Sequence, residues 1–290
     1  MPIGPSELII NADRSIYHLN ILAEDIADTV ILVGDQNRVE KVSRYFDTIE
    51  VQKQRREFIT HTGTLNSKRI SVVSTGIGTD NIDIVINEID ALFNIDFDTR
   101  TIKEDLTQID FVRIGTSGAV QPDIPLDAFV LSEYAIGFDN VLHFYESEKV
   151  QHPDIQLAFI DHTDWSVYKS IPYVVTSDLV FTEQLYSDRV VKGFTGSNVG
   201  FYGPQGRSLR LSLEDNELID KISSFEYEGR RITNFEMETS AIYGLASLLG
   251  HRAASLNSIL ANRTTGQFSE NPAKAIDSLI QYTLEKLTSF

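Results

Sequence analysis

Short apolar runs that end in glycine alternate with amphipathic segments along the chain. Residues 29–34 (TVILVG) and 69–78 (RISVVSTGIG) are typical of buried strands that enter a tight turn. Residues 80–95 (DNIDIVINEIDALFNI) place large apolar side chains at steps of three and four, which predicts an amphipathic helix. Strands that alternate with helices in this way favour a parallel or mixed sheet covered on both faces.

The same alternation continues to the C-terminus. Further predicted strands are FVRIGTSGA (111–119), DAFVLSEYAI (127–136), IPYVVT (171–176), RRITNF (230–235) and RAASLNSIL (252–260). Further predicted helices are 37–46, 236–250 and 271–287, the last with Asn271 as N-cap and Pro272 at its first position.

These elements predict an α/β fold in which a mixed central sheet is flanked by helices on both faces. No repeat, low-complexity tract or Pro/Ser-rich linker interrupts the chain, so residues 1–290 are predicted to form a single domain. The polar segment 96–109 (DFDTRTIKEDLTQI) is predicted to be a surface insertion before the third strand. Ligands of such sheets bind at the carboxyl ends of the strands.

Composition and charge argue against several classes of protein and partner. Apolar residues make up 42% of the chain, which is enough for a full core, and the formal charge of −17 argues against a nucleic-acid backbone as partner. The chain has no apolar run of about 18 residues, so no membrane span is expected. Cysteine is absent, which excludes disulfides and thiol catalysis, and together with the lack of a secretory signal pattern this predicts a cytoplasmic protein.

In so acidic a chain, an anion site must be built locally from arginines and backbone N–H groups. Gly34 and Arg38 share one glycine turn, Arg113 lies in another (RIGTSGA), and residues 54–58 (QRREF) bring arginines upstream of a third. Neither the P-loop pattern nor the dinucleotide pattern GxGxxG is present, so the ligand predicted is a small anion such as phosphate. Taken singly, each of these turns is more often only a turn than an anion site.

Two carboxylates, Glu236 and Glu238, fall at a predicted strand-to-helix junction. A spacing of two does not place them on one helix face, which argues against an acid/base pair of the glycosidase kind. Two interpretations stay open: both carboxylates favour the positive end of a helix, or one accepts hydrogen bonds from the hydroxyls of a sugar.

The segment 200–207 (GFYGPQGR) combines an aromatic wall with an amide and a guanidinium. Phe201, Gln205 and Arg207 could together hold a flat polar ring, because an amide donates and accepts while a guanidinium only donates. From the residues alone, a solvated turn with an exposed arginine is the plainer explanation.

Seven motifs in order resemble the nucleoside phosphorylase family, most closely its uridine phosphorylases. They are GDQNRV, RREF, STGIG, RIGTSGAVQPDIPL, FYGPQGR, NFEMETSAIYGLASLLGHRA and ANRT, and the resemblance runs from about His18 to the C-terminal helix. The resemblance implies a single α/β domain that converts a nucleoside and phosphate to a free base and ribose 1-phosphate. Phosphate would be a co-substrate, no cofactor or metal is implied, and the active site would be shared between two chains of a dimer or hexamer.

The resemblance also implies a role for each matching residue. The phosphate site would be Gly34, Arg38, Arg113 and Thr116, with Arg56 reaching across from a neighbouring subunit. The ribose site would be Glu238 on the 2′ and 3′ hydroxyls, Met237 against the sugar, and His18 from the neighbouring subunit toward the 5′ hydroxyl. The base site would be Phe201, Gln205, Arg207 and Arg263, and the catalytic set Arg207, Gln205, Arg113 and Glu238.

Departures from the family pattern keep alternatives open. Residues 78–81 read GTDN where the compared uridine phosphorylases read Gly-Gly-Pro-Ser, so the monovalent cation that some relatives hold near the position of Glu57 is in doubt. No aspartate occurs in residues 258–266 (SILANRTTG), where purine phosphorylases place one, which argues against purine cleavage. A nucleosidase that uses water, a purine phosphorylase and a non-catalytic nucleoside-binding protein are the competing interpretations.

Overall fold

The computed structural model describes residues 2–290, which form fourteen strands and seven α-helices. The strands are β1 (Thr29–Val33), β2 (Thr48–Arg55), β3 (Phe58–Leu65), β4 (Lys68–Ser74), β5 (Ile95–Asp96), β6 (Thr101–Ile102), β7 (Asp110–Ala119), β8 (Phe129–Gly137), β9 (Tyr173–Thr176), β10 (Val190–Ser197), β11 (Glu226–Tyr227), β12 (Arg230–Glu236), β13 (Arg252–Asn262) and β14 (Gln267–Phe268). The helices are α1 (Gln36–Ser43), α2 (Thr79–Asn94), α3 (Pro153–Thr163), α4 (Leu179–Leu185), α5 (Leu218–Ser224), α6 (Thr239–Leu249) and α7 (Pro272–Leu287).

Twelve of the strands form one mixed sheet in the order β11-β12-β10-β8-β13-β7-β1-β4-β3-β2, with β9 paired to β8 and β14 paired to β13. β1 is parallel to both β4 and β7, and β7 is parallel to β13. β10 is parallel to β8 and β12, whereas β8 and β13 pair antiparallel. β12 also pairs antiparallel with β7, so five strands close on themselves: β12, β10, β8, β13 and β7.

Helices cover both faces of the sheet, as the sequence predicts. Along β1, Val30 and Leu32 pack into one core cluster with α2 and α6, while Ile31 and Val33 pack into another with α1, α4 and α7. This alternation follows from the period of two along a strand, and because both faces are buried, β1 is apolar at every position from 30 to 33. The fold class is therefore confirmed: a single α/β domain with a mixed sheet between two helical layers.

The helices α1, α4 and α7 begin after a residue whose side chain accepts from one of their first N–H groups. α7 starts at Pro272, and the Asn271 side chain accepts from the Lys274 N–H at 3.1 Å, so the predicted cap is confirmed. α1 starts after Asp35, whose carboxylate accepts from the Asn37 N–H at 3.0 Å. None of the helices within residues 2–290 is long and apolar enough to cross a membrane.

The segment 96–109 lies at the surface and forms a small hairpin. β5 and β6 pair antiparallel, and most side chains between them and β7 are exposed. Arg100 ties this segment to the N-terminal residues by donating to the carbonyl oxygens of Ile3, Gly4 and Leu8. Whether the segment is an insertion relative to the family stays a prediction.

Candidate functional site

A cavity of about 810 Å³ opens at the carboxyl ends of the parallel strands β1, β4, β7, β10 and β12. The chain leaves each of these strands in a turn, so backbone N–H groups and the first side chains after each strand converge there. The cavity brings together nine of the residues that the sequence singles out: Gly34, Arg38, Arg113, Thr116, Phe201, Gln205, Arg207, Met237 and Glu238.

Two buried arginines form the cationic end of the cavity. Arg38, from the first turn of α1, donates to the carbonyl oxygen of Ile114 at 3.1 Å, so its guanidinium lies over β7. Burial lowers the pKa of Arg38, and the neighbouring charge of Arg113 lowers it further. Gly34 and Thr116 line the same end. The two neighbouring positive charges repel each other. An oxyanion bound to both guanidinium groups would relieve that repulsion, so this end of the cavity can bind one.

Arg113 is held by the two carboxylates of the strand-to-helix junction. Its Nη2 lies 2.5 Å from Glu238 Oε2 and 3.1 Å from Glu236 Oε2, and all three side chains are buried. Burial alone would lower the pKa of Arg113, but Glu236 and Glu238 together raise it above its ordinary value. The guanidinium is therefore fixed in place and charged.

The two carboxylates have different partners. Glu236 accepts from the backbone N–H groups of Glu238 and Thr239 and from the Ser197 hydroxyl, so it caps the start of α6 and joins it to β10. Glu238 instead turns its Oε1 to the backbone N–H of Gly78 at 2.8 Å and its Oε2 to Arg113. Each oxygen of Glu238 thus has one acceptor position left for a ligand donor.

The opposite end of the cavity is built by the loop that follows β10. Arg207 Nη1 donates to the Phe201 carbonyl oxygen and to Gln205 Oε1, both at 2.6 Å, and its guanidinium stacks 3.8 Å from the centre of the Phe201 ring. Arg263 does not line the cavity; its Nη1 donates to the Gln205 carbonyl oxygen at 3.0 Å and supports the loop from behind. A flat ring could lie here between an aromatic face, an amide and a guanidinium.

His18 and Arg56, both predicted to reach across a subunit interface, do not line the cavity of their own chain. His18 is held by Glu88, which accepts from its ring Nδ1 at 2.6 Å and from its backbone N–H. Arg56 is exposed at the turn between β2 and β3, with its guanidinium 5.9 Å from the Tyr17 ring. That either residue reaches a neighbour's cavity stays a prediction.

Glu57, near which some relatives hold a cation, lies close to the GTDN turn of residues 78–81. Glu57 and Asn81 both line the cavity, while Asp80 lies in the first turn of α2. Within residues 2–290 there is no group of three or more His, Asp or Glu side chains placed to hold a metal ion. His143, His152 and His162 lie apart, and Trp165 stacks on Phe138 at 5.1 Å.

Gly115 lets the Arg113 guanidinium lie flat on β7. A methyl group on Gly115 would stand 1.7 Å from Arg113 Nη1, 2.4 Å from its Cζ and 2.6 Å from Asn257 Oδ1. Because none of these buried groups can move away, Gly115→Ala is expected to lower the free energy of unfolding by roughly 1–3 kcal/mol. Urea denaturation would measure the change.

Gly118→Ala is the matched control, because it lies on the same strand and a methyl group there would meet its nearest atom at 3.7 Å. We expect Gly118→Ala to leave the unfolding midpoint nearly unchanged. Equal stability of the two variants would contradict the crowding at Gly115.

Comparison with known proteins agrees with this geometry. The family model described as the phosphorylase superfamily matches residues 28–286. A uridine phosphorylase of Thermococcus kodakarensis is 31% identical over 258 residues, which cover 88% of this chain and 80% of the relative. A uridine phosphorylase of Haemophilus influenzae is 26% identical over 282 residues, which cover 94% of each chain. Among solved structures, the Trypanosoma brucei nucleoside phosphorylase, described as showing uridine phosphorylase activity, superposes with a TM-score of 0.88 at 27% identity, covering 98% of this chain and 100% of that one. The chain belongs to the phosphorylase superfamily.

Proposed function

We propose that the chain catalyses the phosphorolysis of a pyrimidine nucleoside, converting uridine and phosphate to uracil and ribose 1-phosphate. The observation that carries this proposal is the arrangement of one cavity: Arg38 and Arg113 at one end, Gln205 and Arg207 at the other, and Glu238 on its wall. Named relatives that share most of the chain's length are uridine phosphorylases, which supports the same substrate class.

Phosphate binds at the cationic end. Arg38 and Arg113 donate charge-assisted hydrogen bonds to its oxygens, and the turn at Gly34 and the hydroxyl of Thr116 complete the site. Phosphate is itself the nucleophile, so no serine or cysteine nucleophile is required. The arginines hold one phosphate oxygen beneath the anomeric carbon, and catalysis by the protein is then positioning and electrostatics.

Glu238 binds the ribose. Its two oxygens face the 2′ and 3′ hydroxyls, because each keeps a free acceptor position after its bonds to Gly78 and Arg113. Met237 lines the cavity beside it and packs on the sugar. Glu236, whose oxygens hold the start of α6, orients Glu238 without touching the nucleoside.

The base lies in the loop after β10. Gln205 donates to a uracil carbonyl and accepts from N3–H, and Arg207 donates to a second carbonyl. In the reaction a phosphate oxygen bonds to C1′, the C1′–N1 bond breaks, and its electron pair leaves with the base. Arg207 stabilises the negative charge that grows on the ring, and the departing base then takes a proton from solvent.

The functional unit is proposed to be a homo-oligomer in which His18 and Arg56 complete a neighbour's site. The positions of both residues outside their own cavity support this, because neither can contact a ligand there without leaving its present partners. We further propose that phosphate is a co-substrate and that no organic cofactor takes part. The cytoplasm stays the predicted compartment.

Base release from a small nucleoside panel tests the proposal directly. The purified protein is incubated with uridine, thymidine, deoxyuridine or inosine, with and without inorganic phosphate, and free base and ribose 1-phosphate are quantified. We expect uracil release that requires phosphate and yields ribose 1-phosphate in equal amount. Release without phosphate would identify a nucleosidase, cleavage of inosine alone a purine phosphorylase, and binding without release a non-catalytic protein.

A further inference from the structure

Arg113 has a third acceptor, an amide on the neighbouring strand. Asn257 lies on β13, is fully buried, and places its Oδ1 2.5 Å from Arg113 Nη1. β13 aligns Asn257 with Gly115, two residues beyond Arg113 on β7, so the guanidinium reaches the amide by passing over the glycine. Asn257 does not line the cavity, so it acts on the site through its contacts, of which the direct one to a lining residue is the hydrogen bond to Arg113.

The orientation of the Asn257 amide follows from its second contact. Its Nδ2 donates to the Ser255 hydroxyl at 3.2 Å, and that hydroxyl lies 2.9 Å from the hydroxyl of Thr239. The reverse orientation would set an amide NH₂ against the guanidinium, two donors facing each other with no acceptor between them. Asn257 is therefore an oriented, neutral acceptor for Arg113.

Neutrality at this position keeps the buried charges around Arg113 in balance. The formal charges of Arg38 and Arg113 are balanced by those of Glu236 and Glu238, and all four side chains are buried. A third buried carboxylate would make this buried cluster net negative, where screening by water and salt is weak. We propose that Asn257 is a positioning residue that fixes Arg113 and, by carrying no charge, sets the affinity of the site for inorganic phosphate.

This inference rests on the proposed function, and its main test is phosphate binding, which needs no turnover. Asn257→Asp keeps the size of the side chain and an oxygen toward Arg113 but adds a charge, whereas Asn257→Ala removes the acceptor and adds none. Titration calorimetry with inorganic phosphate is expected to show a Kd at least about tenfold higher for Asn257→Asp, since like charges in a buried site repel strongly. Asn257→Ala is expected to weaken phosphate binding less, and the KM for uridine is expected to stay within about twofold in both variants.

Ser258→Ala is the control, because Ser258 is the next residue on β13, is equally buried, and its hydroxyl has no hydrogen-bond partner within residues 2–290. Its phosphate Kd should equal that of the wild type. A Kd for Asn257→Asp within about twofold of the wild type, or no weaker binding than in Asn257→Ala, overturns the inference. Should Asn257→Asp fail to fold by circular dichroism, an unchanged Kd in Asn257→Ala overturns it instead. Failure of the wild type to bind phosphate at all is a different result, and it refutes the proposed function.

Discussion

Replacing Arg207 with alanine is expected to lower kcat for uridine phosphorolysis by roughly 10²–10³, because one donor to a developing oxyanion is typically worth that much. In the proposed complex the guanidinium faces the base, where negative charge grows as the C1′–N1 bond breaks. A contact that strengthens only in the transition state contributes to kcat and has a small effect on KM. Steady-state kinetics on uridine at saturating phosphate would measure both constants.

Arg207 has a fixed orientation and free donor groups, which suit the proposed role. Its Nη1 is occupied by the Phe201 carbonyl oxygen and by Gln205 Oε1, whereas its Nε and Nη2 have no acceptor within residues 2–290. Burial, aided by the nearby charge of Arg263, lowers the pKa of Arg207 to about 10. The side chain is still a cation at neutral pH, and the Phe201 ring holds its plane.

Arg210→Ala is the matched control for Arg207→Ala. Arg210 is exposed, lies three residues further along the same loop, and lines a neighbouring cavity of about 670 Å³ instead of the candidate site. We expect Arg210→Ala to keep near-normal kcat and both variants to keep the wild-type circular dichroism spectrum. Near-normal turnover of uridine by Arg207→Ala would refute the assigned role.

The parts of the site that follow from local chemistry could be predicted from sequence. Gly34 and Arg38 lie within one turn after a strand, and Phe201, Gln205 and Arg207 lie within one loop, so each group is recognisable from a few consecutive residues. Runs of apolar and small residues likewise predict β1, β4, β7 and β13, because these strands are buried along most of their length.

Contacts that depend on the register between paired strands could not be predicted from local sequence. Asn257 meets Arg113 because β13 lies beside β7 in one register, and no pattern along the chain marks that pairing. The pairing of β12 with β7, which closes five strands on themselves, is equally non-local. The sequence pattern does not predict the hairpin β2–β3, because β2 (TIEVQKQR) is largely exposed and has no apolar run.

The division of roles between Glu236 and Glu238 also needed the structure. Both carboxylates sit at the positive end of α6, and the sequence leaves open whether either one binds a sugar. Three donors from Ser197, Glu238 and Thr239 surround Glu236, whereas Glu238 has one protein partner on each oxygen. Glu236 therefore caps the helix, and sugar binding by Glu238 stays a proposal.

Replacing Arg113 with methionine is expected to lower the free energy of unfolding by about 3–5 kcal/mol at neutral pH and to abolish phosphate-dependent turnover. The substitution leaves Glu236 and Glu238 buried beside each other without their counter-charge. Removing one member of a buried ionic cluster costs far more than the cluster contributes, since the remaining charges stay desolvated. Urea denaturation of variant and wild type at one protein concentration would measure the loss.

The size of this loss is expected to depend on pH. Burial raises the pKa of Glu238, the charge of Arg113 opposes that rise, and the substitution would therefore raise the pKa further. A carboxyl with a raised pKa in the folded state contributes stability below its unfolded pKa, and that contribution is lost as the pH rises through the folded pKa. The deficit of Arg113→Met relative to wild type should thus be larger at about pH 8 than at about pH 5.

Arg231→Met is the control for Arg113→Met, because it removes an ion pair that is exposed instead of buried. Arg231 pairs with Asp123 at the surface, where 41% and 58% of the two side chains are exposed, so its removal is expected to cost at most about 1 kcal/mol. Arg113→Lys keeps a charge but not the fork that reaches Glu238 and Asn257 together, so it should recover part of the stability and little of the phosphate affinity. A pH-independent deficit in Arg113→Met, no larger than that of Arg231→Met, would show that Glu238 does not depend on Arg113 for its charge.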